Sequence, residues 1–357
     1  MGSLKQDIDG GGFDLSLFDY DLPREMIAQM PVEPRDSARL MVLDRQTGAI
    51  RHAIFRDLPE FLEPGDLLVI NDTRVFPART LGRRSTGGRV EVLFIRQTAP
   101  GKWEALVHCH GVPKSGEQLM LEDDALAIRL IERVRAGRWI VSLPRGVDLL
   151  ERLEAIGRVP LPPYIRRDPD RQREPMDRER YQTVYAREAG AIAAPTAGLH
   201  FTERLMSALE VKGVRVARIT LHVGVGTFQP IRVQDIRKHR MEREYYRIPA
   251  STAALITEAK AAGRRVVCVG TTTSRALESA ADEAGLRPSE GWTDLYIYPP
   301  YRFRVVDALI TNFHLPRSTL LVMVSALAGR ERILSAYEVA KREGYRFYSY
   351  GDAMLIL

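Results

Sequence analysis

Two cysteines in 357 residues, Cys109 and Cys268, stand far apart and form no CxxC pair, which excludes a disulfide framework and a cysteine-based zinc site. Such sparse use fits a reducing, cytoplasmic compartment. Long apolar runs are missing too. The longest, "TLLVMVSALAG", falls well short of the roughly twenty residues that span a bilayer and reads as a core helix. The N-terminus "MGSLKQDIDGGGFDLSLFDYDLP" has no apolar signal core, and Gly10, Gly11 and Gly12 predict a flexible leader over residues 1–17. Charge of neither sign dominates: 52 Lys+Arg against 46 Asp+Glu leave +6 and a pI near 9.3, a mild bias toward a polyanionic partner. No internal repeat is visible.

Several catalytic signatures are absent or broken. "GVGTFQ" begins like GxGxxG, but Gln229 and Pro230 stand where the last glycine and the helix belong, so a dinucleotide site is disfavoured. "GTTTSR" lacks the lysine of a P-loop. Neither GxSxG nor HExxH occurs. "VHCHG" puts His108 and His110 on one face of a strand without a third ligand in register, so packing or surface roles outweigh a metal.

What is present reads as two units, with 45% hydrophobic and 27% charged residues, as in an ordinary folded chain. From about Asp66 to Pro144, short runs separated by turn residues alternate with period two: Val90, Val92 and Phe94, then Trp103, Ala105 and Val107. This predicts a small antiparallel barrel or sandwich. "RVPLPPYIRRDPDRQREPMDRERYQTVYA" reads as a solvated linker. The remainder alternates strands and helices, which predicts an α/β layer fold with a largely parallel sheet.

Four loops of that second unit share one design: "AAPTAGLHFTER", "LHVGVGTFQP", "GTTTSRALES" and "TNFHLPRST". In open α/β sheets, ligands bind beyond the carboxyl ends of the strands. Small residues there admit a ligand to the backbone, and hydroxyls with free N–H groups at a helix start favour an anion. Ser274 is the expected N-cap, with Glu278 in the first turn. His200, His222 and His314 fall in three of these loops and are candidates for proton transfer near neutral pH. Asp72, in "INDTR", ends a strand beside Thr73 and Arg74; an Asx turn is its simplest explanation.

Taken together, "FDYDLP", "IAQMPVEPRDSARLMVLDR", "GDLLVINDTRVFPAR", "LPPYI", "ERYQTVYA", "AAPTAGLHFT", "LHVGVGTFQP", "GTTTSRALES", "YIYPPYRFRVVDALITNFHLPRSTLLVMVSALAG" and "YRFYSYGDAMLI" resemble, in order from Phe18 onward, the S-adenosylmethionine:tRNA ribosyltransferase-isomerase family of queuosine biosynthesis. The resemblance implies an α/β domain over residues 18–65 and 150–357 with a β-barrel inserted at 66–149. It also implies transfer and isomerisation of the ribosyl part of S-adenosylmethionine onto an aminomethyl-deazaguanine at the tRNA wobble position. Adenine and methionine leave. On that basis His200, His222, His314 and Asp72 form the catalytic pool. Gly270, Thr271, Thr272, Thr273, Ser274 and Arg275 would hold the methionine carboxylate. Thr196, Gly198, Phe201, Gly224, Gly226, Thr227 and Phe228 would shape the adenosine pocket, with Phe201 or Phe228 stacking on the purine. Asn312 and Arg317 would join the substrate site, and Asn71, Asp72, Thr73 and Arg74 would face the RNA. No metal or cofactor is expected, and a monomer is. A methyltransferase, which would leave S-adenosylhomocysteine, and a non-catalytic RNA-binding protein are the competing readings.

Overall fold

The computed structural model describes residues 12–135, 137–167, 171–228 and 230–357, with backbone alone at 227 and 228. Strands β1 (Arg39–Leu43), β2 (Ile50–Ile54), β3 (Leu67–Asn71) and β4 (Thr73–Val75) come first. Then follow β5 (Arg79–Arg84), β6 (Arg89–Ala99), β7 (Lys102–Cys109), β8 (Gln118–Leu121), β9 (Leu126–Arg135) and β10 (Arg138–Ser142). Helices α1 (Leu149–Ile156) and α2 (Glu174–Arg180) lead to β11 (Glu188–Ala191), α3 (Glu203–Val211), β12 (Arg215–Leu221), β13 (Glu244–Ile248) and α4 (Ala250–Ala261). The chain ends with β14 (Val266–Val269), α5 (Thr271–Ala280), the short strands β15 (Ala281–Asp282) and β16 (Gly285–Leu286), β17 (Ser289–Thr293), β18 (Ala308–Asn312), α6 (Thr319–Ala328), α7 (Arg330–Arg342) and β19 (Ala353–Ile356).

Among the described residues one sheet runs in the order β17-β13-β12-β3-β14-β18-β19-β1-β2. Its centre, β12-β3-β14-β18, is parallel, as strand–helix alternation predicts. The flanks are mixed: β13 pairs antiparallel with β12 and β17, β18 with β19 and β1 with β2, while β1 and β19 are parallel. Strand periodicity explains the layers, because alternate side chains leave opposite faces. Leu67, Val69, Val266 and Cys268 enter one core, under α4 to α7; Leu68, Ile70, Val267 and Val269 enter the other, under α3 and Phe55.

Strands β5 to β10 close into an antiparallel barrel, ordered β10-β7-β6-β5-β8-β9. Val90, Val92, Phe94, Trp103, Ala105 and Val107 fill it, and α1 packs against it through Leu149 and Leu153. His108 lies opposite Glu91 on β7, and His110 lies past the strand's end; both line a groove of about 990 Å³ on the barrel.

Three boundaries differ from the sequence reading. Leu67–Asn71, assigned to the barrel, is a central strand of the large sheet, buried along its whole length. A continuous apolar run suits a strand covered on both faces. Residues 12–17, assigned to the leader, are docked: the Leu15 amide donates to Gln234, and Phe13, Leu15 and Leu17 pack against the core. Gly11 and everything before it lie outside the described residues. The linker is no solvated strap either. Ile165 and Tyr181 are buried with Tyr350, and Arg167 forms a two-pronged pair with buried Asp177 at 2.7 and 2.8 Å.

Candidate active site

The four loops meet beyond the carboxyl ends of the parallel strands. Pro195, Thr196 and Ala197 of the first, Val223 of the second, Gly270, Thr271 and Thr272 of the third, and Thr311, Asn312 and His314 of the fourth border one cleft of about 30 Å³. Gly270 leaves β14 at φ +91°, a conformation that glycine reaches without strain, and so lets α5 begin at Thr271. The cap expected at Ser274 is thereby displaced. Ser274 lies inside the helix, buried, its Oγ donating to the Gly270 carbonyl at 3.4 Å. Glu278 lies a turn further on and accepts the amides of Arg304, Val305 and Val306. Thr273 turns away as well, donating to the Val269 carbonyl at 2.6 Å. Thr272 is different. It borders the cleft, is 5% exposed, and its Oγ1 has no hydrogen-bond partner among the described residues.

Across the cleft, Thr196 Oγ1 donates to Asn312 Oδ1 at 2.8 Å, and Asn312 Nδ2 lies 3.4 Å from His200 Nε2. His200 is thus behind Asn312, packed on Phe55. His314 Nε2 lies 2.8 Å from Thr311 Oγ1, and its amide donates to the Tyr337 hydroxyl. Burial pushes His200 down to about 3, helped by nearby Arg346, and His314 down to about 3. Burial also takes His222 down to about 4, against the pull of Glu188. All three imidazoles are therefore neutral at pH 7, and their basicity is reduced by burial.

His222 faces a second cavity, of about 470 Å³, between barrel and sheet; Val223 borders both cavities. Its Nδ1 lies 2.8 Å from Thr73 Oγ1, and its ring stacks on Tyr245 at 5.4 Å and 22°. Gly190 lies against the ring so closely that a Cβ there would stand 2.6 Å from Nε2. Gly224 borders this cavity too and donates its amide to Glu244 at 2.8 Å.

Other expected site residues have different work. Asn71 is fully buried and clamps Leu221, donating to its carbonyl and accepting its amide, both at 2.9 Å; it does not face RNA. Asp72 accepts the Thr220 hydroxyl at 2.8 Å and borders neither cavity; burial raises its pKa. Arg74 makes a surface pair with Glu154. Phe201 is fully buried and packed edge-on against Phe55 and Tyr185, so it cannot stack on a purine. Gly198 is a packing glycine: a Cβ would meet the Tyr185 hydroxyl at 2.1 Å. Gly226 lies against Glu242, whose Cβ would be 2.7 Å from its own. Arg275 does not point to solvent or cleft but is buried in an ion pair with Glu244, its Nε donating to the Leu295 carbonyl. Arg317 is exposed and paired with Asp19 at 2.7 Å. The side chains of Thr227 and Phe228 lie outside the described residues.

Gly190, Glu244, Tyr245 and Trp292, all bordering the second cavity, were missed. Trp292 alone carried a signal, a bulky aromatic between Gly291 and Thr293 in a polar stretch. Among the described residues, no group of three or more His, Cys, Asp or Glu side chains is arranged to hold a metal ion, and no helix is long and apolar enough to cross a membrane.

Residues 15–356 match the family model described as queuosine biosynthesis protein. The chain is 53% identical, over 96% of its length and 99% of the relative's, to the S-adenosylmethionine:tRNA ribosyltransferase-isomerase of Symbiobacterium thermophilum. It is 52% identical, over 96% and 99%, to the protein of the same name from Geotalea uraniireducens. Among solved structures it is similar to the S-adenosylmethionine tRNA ribosyltransferase of Thermotoga maritima, at TM-score 0.54 and 40% identity over 96% of this chain and 100% of that one.

Proposed function

The chain belongs to the family of queuosine biosynthesis proteins, and from that premise we propose that it moves the ribosyl part of S-adenosylmethionine onto the aminomethyl-deazaguanine at the tRNA wobble position and isomerises it. The product is epoxyqueuosine-tRNA, with adenine and methionine released. One observation carries the placement of the reaction: loops from four parts of the chain border a single cleft that holds a buried, unpartnered hydroxyl at the start of α5. An N–H-rich helix start with a spare hydroxyl suits a carboxylate, here that of the methionyl group. The cleft of about 30 Å³ is smaller than the methionyl group or the nucleoside, so this reading requires the loops to part around the substrate.

The chemistry follows from the sulfonium. Its charge acidifies the adjacent ribose carbon, and a neutral imidazole in a dry site accepts the proton. The C5′ electron pair bonds to C1′, from which adenine departs taking up a proton; the RNA amine bonds to C1′ and loses a proton; and the ring oxygen leaves C1′ and displaces methionine from C5′, with one proton released overall. Because the sulfonium is already an activated group, the scheme calls for no metal or redox cofactor, and S-adenosylmethionine is consumed as co-substrate. His314 is the candidate base at the cleft and His222 the group between the two cavities; His200 and Asp72 act on positioning. The protein works as a cytoplasmic monomer.

Incubation with S-adenosylmethionine and precursor tRNA, followed by mass analysis of the nucleosides and small products, tests the reading. Adenine and methionine in equal amounts with the new nucleoside support it. S-adenosylhomocysteine in their place makes the protein a methyltransferase, and no turnover makes it an RNA-binding protein.

A further inference from the structure

The three tryptophans of the chain have unequal fates. Trp103 and Trp139 are buried in the barrel, but Trp292, on the outermost strand β17, is 47% exposed and borders the 470 Å³ cavity. An indole this open loses the burial free energy that makes tryptophan worth placing in a fold. Its neighbours are arranged around it. Tyr245, its register partner on β13, meets it edge-on at 5.9 Å and stacks in turn on His222. From the barrel side, the Arg96 guanidinium reaches to 5.1 Å from the indole ring.

The charge of the cavity wall narrows the occupant. Arg96, Arg135, Arg138, Arg240 and Arg243 border it; Arg96, Arg135 and Arg138 share the carboxylates of Glu104 and Glu242, Arg243 lies 3.8 Å from Asp294, and Glu244 is paired with Arg275, so the surplus of guanidinium is modest. An excess of guanidinium repels a sulfonium and attracts phosphate. Flat aromatic side chains beside cationic ones are the equipment for holding an unstacked base and its backbone.

We propose that Trp292, with Tyr245 behind it and Arg96 beside it, is the stacking platform for a splayed purine of the RNA substrate, and that the surrounding arginines hold its flanking phosphates. This rests on the reading that RNA is a substrate and names the cavity that receives it. The base then lies in the cavity that His222 faces, and Val223 borders both this cavity and the cleft assigned to S-adenosylmethionine.

The test uses the full-length enzyme and an anticodon stem–loop carrying the aminomethyl-deazaguanine. Wild-type release of adenine establishes the activity itself, so its absence overturns the general reading and not the platform alone. Given turnover, Trp292→Ala should raise the KM for the stem–loop roughly 5- to 100-fold, the range of base–aromatic stacking. The KM for S-adenosylmethionine and the melting temperature should stay unchanged. Trp292→Phe, which keeps an aromatic face, should recover most of the loss. Stem–loop titration without S-adenosylmethionine should quench fluorescence in the wild type and not in Trp292→Phe, since the other two indoles are buried in the barrel. A rise in the S-adenosylmethionine KM in place of the RNA KM would assign the platform to adenine, and unchanged values of both would make Trp292 an idle surface residue; each overturns the proposal.

Discussion

Replacing Thr272 by Val should stabilise the ligand-free enzyme while weakening its hold on S-adenosylmethionine. Valine keeps the branched shape and nearly the same helix propensity, so packing at the start of α5 is preserved. What disappears is a hydroxyl that is buried and makes no hydrogen bond. Leaving such a group unsatisfied costs about 1–3 kcal/mol, and removing it returns part of that. For a chain of this length, each kcal/mol corresponds to about 1–2 °C in melting temperature. The ligand-free Tm should therefore rise by a few degrees. In the complex the sign reverses, because a hydrogen bond to a charged group is worth about 1.5–3 kcal/mol, so binding weakens roughly 10- to 100-fold. Thermal melts with and without S-adenosylmethionine read both effects in one plate. A lower ligand-free Tm with an unchanged ligand-induced shift would refute the reasoning and make the hydroxyl a structural group.

The buried Arg275–Glu244 pair gives a second outcome: Arg275→Leu alone should lose about 3–5 kcal/mol of stability, and Glu244→Leu/Arg275→Leu should recover much of it. If urea melts show no loss and only the S-adenosylmethionine KM moves, Arg275 binds ligand after all. The histidines set a pH dependence. Their folded pKa values, about 3 to 4, lie below the unfolded 6.5, so the unfolded chain binds more protons as pH falls. Stability is therefore complete above pH 6.5 and declines below it by about 1.4 kcal/mol per pH unit for each histidine. Melts of wild type and His314→Asn between pH 7.5 and 5 check this, and parallel pH profiles for the two proteins contradict it. Finally, Gly190→Ala puts a Cβ 2.6 Å from the His222 ring. Relief takes a shift of about 1 Å, which breaks the bond to Thr73 and should lower kcat by roughly 100-fold while KM values move little. A kcat within twofold of wild type removes His222 from the reaction.

Much of this architecture is legible in local pattern. The period-two runs at Val90–Phe94 and Trp103–Val107 specify strands with one buried face, and the barrel follows. Three of the four polar loops are legible because each ends a strand, and the first because it precedes a helix. What escapes is whatever depends on partners distant in sequence. "LLVIN" looks the same whether its neighbours are barrel strands or β12 and β14, because the run says that it is buried and not by what. Arg275 reads as a free cation until Glu244 is brought beside it. Phe201 reads as a site aromatic until Phe55 and Tyr185 close over it. The depressed histidines are of the same kind, since desolvation belongs to the folded neighbourhood. At Ser274 the reason is local: serine is a common capping residue, but Gly270, with its positive φ, starts the helix four residues earlier.

The insertion of the barrel bears directly on His222. The chain leaves the sheet for the barrel through β4 and returns through β11, and these two strands pair in parallel at the exit. Thr73, the first residue of β4, bonds the imidazole; Gly190, on β11, presses on its ring. The ribbon that carries the barrel is therefore the same ribbon that orients this histidine. Arg96 and Arg138 of the barrel form one wall of the cavity that His222 faces, and Tyr245 and Trp292 of the sheet form the other. The barrel wall of the cavity and the contacts that fix the imidazole are therefore joined through one pair of strands, β4 and β11, and through Thr73 and Gly190 on them.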